Sequence, residues 1–198
     1  MKIGILGGSF NPPHIMHKNI ALELIKMYYL DKVIFVPTGN KYNKANLLDA
    51  SHRINMLNLL CQGNDLFSVS DYEVKNVLVS TYQTLDYFKS LYPDDTIYFI
   101  LGSDNLKELH TWKNYEYIIS HYKILVIKRD LDDVYPILKR FEKYQTNFII
   151  ANIPLSNVSS TKIRDMLSKK DVVSEYLLSK VVLNYIQKNH LYIKENSL

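Results

Sequence analysis

Short apolar runs alternate with longer amphipathic stretches along most of this chain. Lys2–Leu6, Lys32–Pro37, Leu66–Ser70, Thr96–Leu101, Lys123–Ile127 and Asn147–Ala151 are rich in Ile, Val, Leu and Phe, and each reads as a buried strand. Between them, apolar positions recur at helical spacing. Ile20, Leu24, Ile25 and Tyr28 form a stripe within Ile15–Tyr29. Ile54, Leu57, Leu60 and Cys61 form another within Ala50–Cys61, with Asp49 placed to cap it. Further helices are predicted from Ser80 through Leu91, over Asn105–Leu109, over Asp133–Tyr144 and from Ser159 onward. Strands alternating with helices predict an α/β fold: a doubly wound, Rossmann-like parallel sheet flanked by helices, with a small C-terminal helical portion from about 159. No repeat, low-complexity block or Pro/Gly-rich linker divides the 198 residues, so a single domain is expected over 1–198. Thr38–Leu48 is the longest irregular stretch, and a loop of that length in a compact domain is more often functional than idle.

Composition narrows the classes without choosing among them. An apolar share of 47% with 22% charged residues is that of an ordinary globular domain rather than a disordered chain. The net charge of +4 is too mild, and too little clustered, to point to a nucleic-acid partner. No apolar run approaches the length of a membrane span, so no membrane partner is expected. The first strand pattern opens at Lys2 and leaves no length for a signal peptide, which makes cytoplasmic residence the default expectation. Cys61, the one cysteine, can form no internal disulfide and reads as a buried, inert thiol.

The candidate chemistry begins where the first strand ends, at Gly7-Gly8-Ser9-Phe10-Asn11-Pro12-Pro13-His14-Ile15-Met16-His17. Paired glycines let the backbone turn sharply and approach a ligand closely. Pro12-Pro13 stiffens the loop just before a helix, where proline is tolerated. His14 and His17 are three apart and share one face of the first helical turn. A helix N-terminus already offers unpaired N–H groups and a positive dipole end to an anion, so two imidazoles there make a phosphate pocket. A histidine pair at this spacing also occurs in metal sites, but the motif lacks the further ligands that zinc needs. Nor is it the GxGxxG dinucleotide fingerprint.

A second constellation is Ser159-Ser160-Thr161-Lys162-Ile163-Arg164. Ser and Thr are good helix caps, which is the plainer reading. Lys162 and Arg164, however, fall in the first turn, where the dipole prefers acids, and Asp165 offsets them only in part. Cations gathered there are understandable if a multiply charged anion joins them.

Together the two stretches resemble the GxFxPxHxxH and SSTxIR motifs of the nucleotidylyltransferase superfamily, with Met16 departing from the usual glycine. The resemblance implies ATP binding by Gly7, Gly8, Ser9, Phe10, His14, His17, Ser159, Ser160, Thr161 and Arg164, with His14, His17 and Arg164 as catalytic groups. Smaller matches are similar to nicotinate-nucleotide adenylyltransferases and extend the likeness from Ile3 to Tyr192. Val36-Pro37-Thr38-Gly39-Asn40 and Lys44 resemble that family's VPTGNPPHK loop, although Lys41, Tyr42 and Asn43 replace Pro, Pro and His. Ser51-His52-Arg53 with Met56-Leu57 is similar to its following helix. Thr81-Tyr82-Gln83-Thr84-Leu85 resembles TxxTL, which implies a pyridine-carboxylate contact for Thr81. Phe99-Ile100-Leu101-Gly102-Ser103-Asp104 resembles the element lining the nucleotide site, through Gly102 and Asp104. Trp112, the one tryptophan, matches a residue that stacks on the pyridine ring; Lys44, Thr81 and Trp112 are thereby implied as acceptor contacts.

The implied reaction moves AMP from ATP onto nicotinate mononucleotide, giving deamido-NAD and pyrophosphate, a late step of NAD biosynthesis. Mg²⁺ is implied as a cofactor carried mainly by the ATP phosphates, with no metal ligands on the protein. A sister enzyme using nicotinamide mononucleotide or phosphopantetheine, and a non-catalytic nucleotide-binding module, are the alternatives. The small-molecule substrates are the expected partners, and a homodimer is left open.

Overall fold

The computed structural model describes residues 1–28, 30–40, 46–128, 133–154 and 158–193. Its centre is a six-stranded parallel sheet of β1 (Lys2–Gly8), β2 (Lys32–Pro37), β3 (Phe67–Val69), β4 (Thr96–Gly102), β5 (Lys123–Lys128) and β6 (Phe148–Asn152). The order is β3-β2-β1-β4-β5-β6, so the chain reverses its direction of growth between β1 and β4. In an open sheet of this kind the crevice beyond the carboxyl ends of the strands at that switch is where ligands bind. β1 pairs with β2 from Ile3↔Lys32 to Gly8↔Pro37 and with β4 from Lys2↔Thr96 to Leu6↔Ile100.

Strand periodicity divides the core into two layers. Ile3, Ile5, Ile34, Val36, Ile97, Phe99, Ile124 and Val126 face one side, where they meet Leu85 and Phe88 of α4 (Thr81–Leu91), Leu106 of α5 (Ser103–Glu108) and Ile118 of α6 (Tyr115–His121). The alternate residues Val33, Phe35, Ile100, Leu125 and Ile127 face the other side, against Ala21 and Leu24 of α1 (Ile15–Tyr28) and Leu57 of α2 (Ala50–Cys61). Both faces being covered accounts for the near-continuous apolar runs of the strands. A third apolar cluster joins Met56 and Leu60 of α2 to Ile163 of α8 (Ser160–Ser168) and to Val182 and Ile186 of α9 (Lys180–Lys188). It docks the C-terminal helices on the outer face of α2, and so brings the second motif back to the first. Cys61 is buried and free.

The departures from expectation have local causes. β1 runs on to Gly8, because Gly7 and Gly8 continue the pairing with Val36 and Pro37 and the Thr38 N–H donates to the Gly8 carbonyl at 3.0 Å. The turn starts later, at Phe10 with φ of 46°. Asp133–Tyr144 is not one helix: a single α turn, α7 (Tyr135–Leu138), passes into a 3₁₀ segment over Lys139–Asn147. Leu138, Phe141 and Tyr144 all pack on the first core layer, and the segment is a run of short turns rather than one helix, the backbone leaving helical geometry at Phe141 (φ −114°, ψ 23°) and again at Tyr144 (φ −114°, ψ 15°). Phe141 also stacks on Phe148 at the start of β6, ring centroids 5.5 Å apart. The short helix α3 (Tyr72–Lys75) and α6 had no counterpart in the sequence reading.

Candidate active site

β1 delivers the first motif to the switch point, and the loop after it folds beneath its own glycines. Phe10 is buried, its ring edge-on to His17 at 4.9 Å and to Phe35 at 5.9 Å. It supports the site from below and, unlike Gly7, Gly8 and Ser9, is not part of the neighbouring cavity wall. A Cβ on Gly7 would meet nothing within 4 Å, so the glycine leaves open space beside the strand end.

His14 and His17 stack at the head of α1, ring centroids 3.7 Å apart and planes 22° from parallel. The His14 backbone N–H donates to His17 Nδ1 at 3.1 Å, so a neutral His17 carries its proton on Nε2. His14 is buried, and its Nδ1 has no hydrogen-bond partner among the described residues. Burial pushes the His14 imidazole down to about 4. Burial, with His14 as a second cause, holds His17 well below the usual histidine range. The free site therefore presents two neutral imidazoles at neutral pH, whose protonation an incoming anion would favour.

Arg164 and Ser160 reach the same loop from α8. Arg164 Nη1 donates to the Asn11 carbonyl at 2.7 Å and Nη2 to Thr161 Oγ1 at 3.2 Å, while the Ser160 hydroxyl donates to the Pro12 carbonyl at 2.8 Å. Ser159 caps the helix, its hydroxyl accepting from the Lys162 N–H at 3.2 Å. The cap and the cationic cluster thus coexist in one helix start. Gly102 and Asp104 stand at the junction of β4 and α5, Asp104 exposed, and neither lines the cavity described next.

That cavity, of about 470 Å³, opens beside Gly7, Gly8 and Ser9 and extends between β2, β4 and α4. Thr81, Trp112 and Lys113 all lie in its wall, so the structure brings Thr81 and Trp112 to one cavity. Trp112 is half-buried, tilted against Phe99 with ring centroids 6.0 Å apart. The Thr81 hydroxyl makes no hydrogen bond among the described residues, while Thr38 in the same wall has a buried Oγ1 without a partner. Lys44 lies outside the described residues.

Two residues that hold the site stand within the motifs quoted above, which give neither of them a role of its own. Arg53 of α2 is wholly buried and donates to three backbone carbonyls, those of Leu48 (2.8 Å), Ser9 (3.0 Å) and Thr38 (2.7 Å), and to Asn40 Oδ1 (3.3 Å). Its signal was an arginine in register with Met56, Leu57 and Leu60, on the apolar stripe of its helix. Asn11 is a hub: Nδ2 donates to the Asn46 carbonyl at 2.8 Å, and Oδ1 accepts the Tyr192 hydroxyl at 2.8 Å. No sequence signal distinguishes it from an ordinary loop asparagine.

Stacked imidazoles, an arginine and a helix start are gathered where a doubly wound sheet switches direction, an arrangement whose chemistry suits anionic oxygen. Comparison with known proteins gives the family. The Cytidylyltransferase-like family model matches residues 5–166. The "Probable nicotinate-nucleotide adenylyltransferase" of Clostridium tetani is 36% identical, covering 96% of this chain and 98% of that protein, and its namesake in Endomicrobium trichonymphae is 38% identical with the same coverage. In fold, the chain is similar to Plasmodium falciparum nicotinic acid mononucleotide adenylyltransferase complexed with NaAD, with a TM-score of 0.81 at 24% identity over 96% of this chain and 97% of that one. The chain belongs to the cytidylyltransferase-like proteins and, among them, to the nicotinate-nucleotide adenylyltransferase family.

Proposed function

We propose that this protein transfers AMP from ATP to nicotinate mononucleotide, forming deamido-NAD and pyrophosphate, a late step of NAD biosynthesis. The observation that carries the reading is the meeting of His14 and His17 with Arg164 across the Asn11 and Pro12 carbonyls, next to a cavity walled by Thr81 and Trp112. A phosphate oxygen of the acceptor attacks the α-phosphorus of ATP in line, the bond from that phosphorus to the bridging oxygen breaks, and pyrophosphate leaves. The attacking oxygen is already ionised at neutral pH, so no general base is needed. Catalysis is then alignment and the spreading of negative charge. His17 Nε2–H, the His14 imidazole, the Arg164 guanidinium and the N-terminal turns of α1 and α8 are the donors; Ser159, Ser160 and Thr161 complete the ATP side with Gly7, Gly8 and Ser9. Gly102 and Asp104 are assigned to the nucleoside end, Asp104 as an acceptor for ribose hydroxyls. Thr81 and Trp112 receive the pyridine end, the hydroxyl towards the carboxylate and the indole against the ring.

Mg²⁺ is proposed as a companion of ATP rather than a resident of the protein. Among the described residues no three His, Cys, Asp or Glu side chains converge to hold a metal ion, and the donors around His14, His17 and Arg164 suit anionic oxygen. Bound with ATP, it would supply positive charge against the phosphate oxygens. Action in the cytoplasm is part of the same proposal; among the described residues no helix is long and apolar enough to cross a membrane.

Pyrophosphate release from Mg-ATP with nicotinate mononucleotide, nicotinamide mononucleotide and phosphopantetheine in parallel tests the reading. Release with the first well above the other two is the expected result. Preference for another acceptor reassigns the substrate. Tight ATP binding without release in any arm makes the chain a nucleotide-binding module.

A further inference from the structure

Among the described residues, the wall of the large cavity carries two charged side chains, Glu73 and Lys113, of opposite sign. Lys113 is exposed, its ammonium 5.9 Å from the centroid of the Tyr82 ring. Glu73, on α3, is half-buried, and its Oε1 accepts the hydroxyl of buried Thr84 at 2.7 Å. Burial raises the Glu73 carboxyl above the usual carboxylate range, against the opposing pull of that hydrogen bond. The backbone is held too: a Cβ on Gly39 would come within 2.5 Å of the Glu73 carbonyl oxygen, so a residue without a side chain lets the loop after β2 press on α3. Among the described residues no lysine, arginine or histidine forms an ion pair with Glu73. A carboxylate fixed in a cavity wall, with one hydroxyl and no counter-charge, is set up for a cation that arrives with a ligand.

The acceptor assigned above carries such a cation. Its pyridine nitrogen is bonded to ribose and is permanently quaternary, and the ring is the part that enters the cavity beside Trp112. We propose that Glu73 is a specificity-determining residue for the acceptor, its carboxylate matched to the pyridinium charge, with Thr84 as the residue that positions it. This inference rests on the reading of nicotinate mononucleotide as acceptor. Its consequence is selection for the oxidised ring. The 1,4-dihydro form has the same carboxylate and phosphate, but its ring nitrogen is uncharged.

The test measures equilibrium binding of nicotinate mononucleotide and of its 1,4-dihydro counterpart to the wild-type protein and to Glu73→Gln, which keeps the side-chain volume and an oxygen for Thr84. The wild type is expected to bind the cationic ring about tenfold more tightly than the neutral one, the scale of one charge pair at a partly shielded site. Glu73→Gln is expected to lose most of that preference by weakening the cationic ligand alone. Equal weakening of both ligands, or an unchanged preference, overturns the assignment. The wild-type comparison stands even if the variant does not fold, because equal binding of the two ring forms by itself overturns it. Pyrophosphate release by the wild type separates the two levels. No binding and no release with nicotinate mononucleotide defeats the acceptor reading and this inference together; normal turnover with a preference indifferent to Glu73 defeats this inference only.

Discussion

The Arg164 guanidinium donates to the Asn11 carbonyl at 2.7 Å, joining residues 153 positions apart. One arm of a planar fork thus holds the first motif's loop, and a second arm rests on the Thr161 hydroxyl at 3.2 Å. A lysine has one ammonium group and cannot hold the loop and face a phosphate in the same fixed geometry. Arg164→Lys is therefore expected to keep the fold and lose ~10² in turnover, with Arg164→Met falling further, towards ~10³. Initial rates of pyrophosphate release, read beside thermal melts, check both.

His17 offers a sharper case because its tautomer is fixed. Its Nδ1 is occupied by the His14 N–H, so the donor left for a developing negative charge is Nε2–H. Removing one well-placed donor of this kind costs ~10²–10³ in rate. His17→Ala should show that loss in kcat while circular dichroism stays that of the wild type. Near-normal turnover would take His17 out of the mechanism.

Arg53 yields a stability prediction rather than a catalytic one. Its guanidinium is wholly buried and satisfies carbonyls from the loops after β1 and β2 and from the approach to α2. Replacing it by methionine fills the volume but leaves those carbonyls without donors, at roughly 1–3 kcal/mol for each one that water cannot reach. Arg53→Met should lose about 3 kcal/mol or more of unfolding free energy in urea titrations, the low end for three such carbonyls.

How much of this was legible beforehand depends on how locally each feature is encoded. All six strands were readable, because both faces of a parallel sheet are covered and Lys32–Pro37 or Thr96–Leu101 shows an apolar run with no helical period. The two phosphate motifs were readable because caps, glycines and charges act within one turn. Their meeting was not, since it depends on the third apolar cluster docking α8 and α9 on α2. The break in Asp133–Tyr144 escaped for a related reason: apolar residues three apart resemble a helical stripe, whereas the backbone leaves helical geometry at Phe141 and Tyr144, where Phe141 stacks on Phe148. Phe10 was placed with the ATP contacts on its motif, whereas the turn after Gly8 folds its ring under His17. Arg53 was hidden by its chemistry, a charge in register with an apolar stripe.

The two histidines also make the free protein's stability depend on pH, in a direction that can be worked out. His14 titrates near 6.5 when unfolded and is held at about 4 in the fold by burial. Between those values the unfolded chain binds more protons than the folded one, so unfolding free energy rises with pH across the window and is lost as the solution is acidified through it. The full difference is about 3.5 kcal/mol, reached only below pH 4. His17, also depressed, acts in the same direction. Urea unfolding of the ligand-free protein at pH 7, 5.5 and 4.5 should show a progressive fall, and His14→Asn should make it shallower, because asparagine has no proton to gain and only the part due to His17 is left. Anionic ligand reverses the sign at these groups: triphosphate beside the imidazoles favours their charged forms, so ATP binding should take up protons in the same pH range. Proton uptake on adding ATP to the weakly buffered wild type, and less of it in His17→Ala, would place the phosphates against the histidine pair. Release of protons, or none, would place them elsewhere.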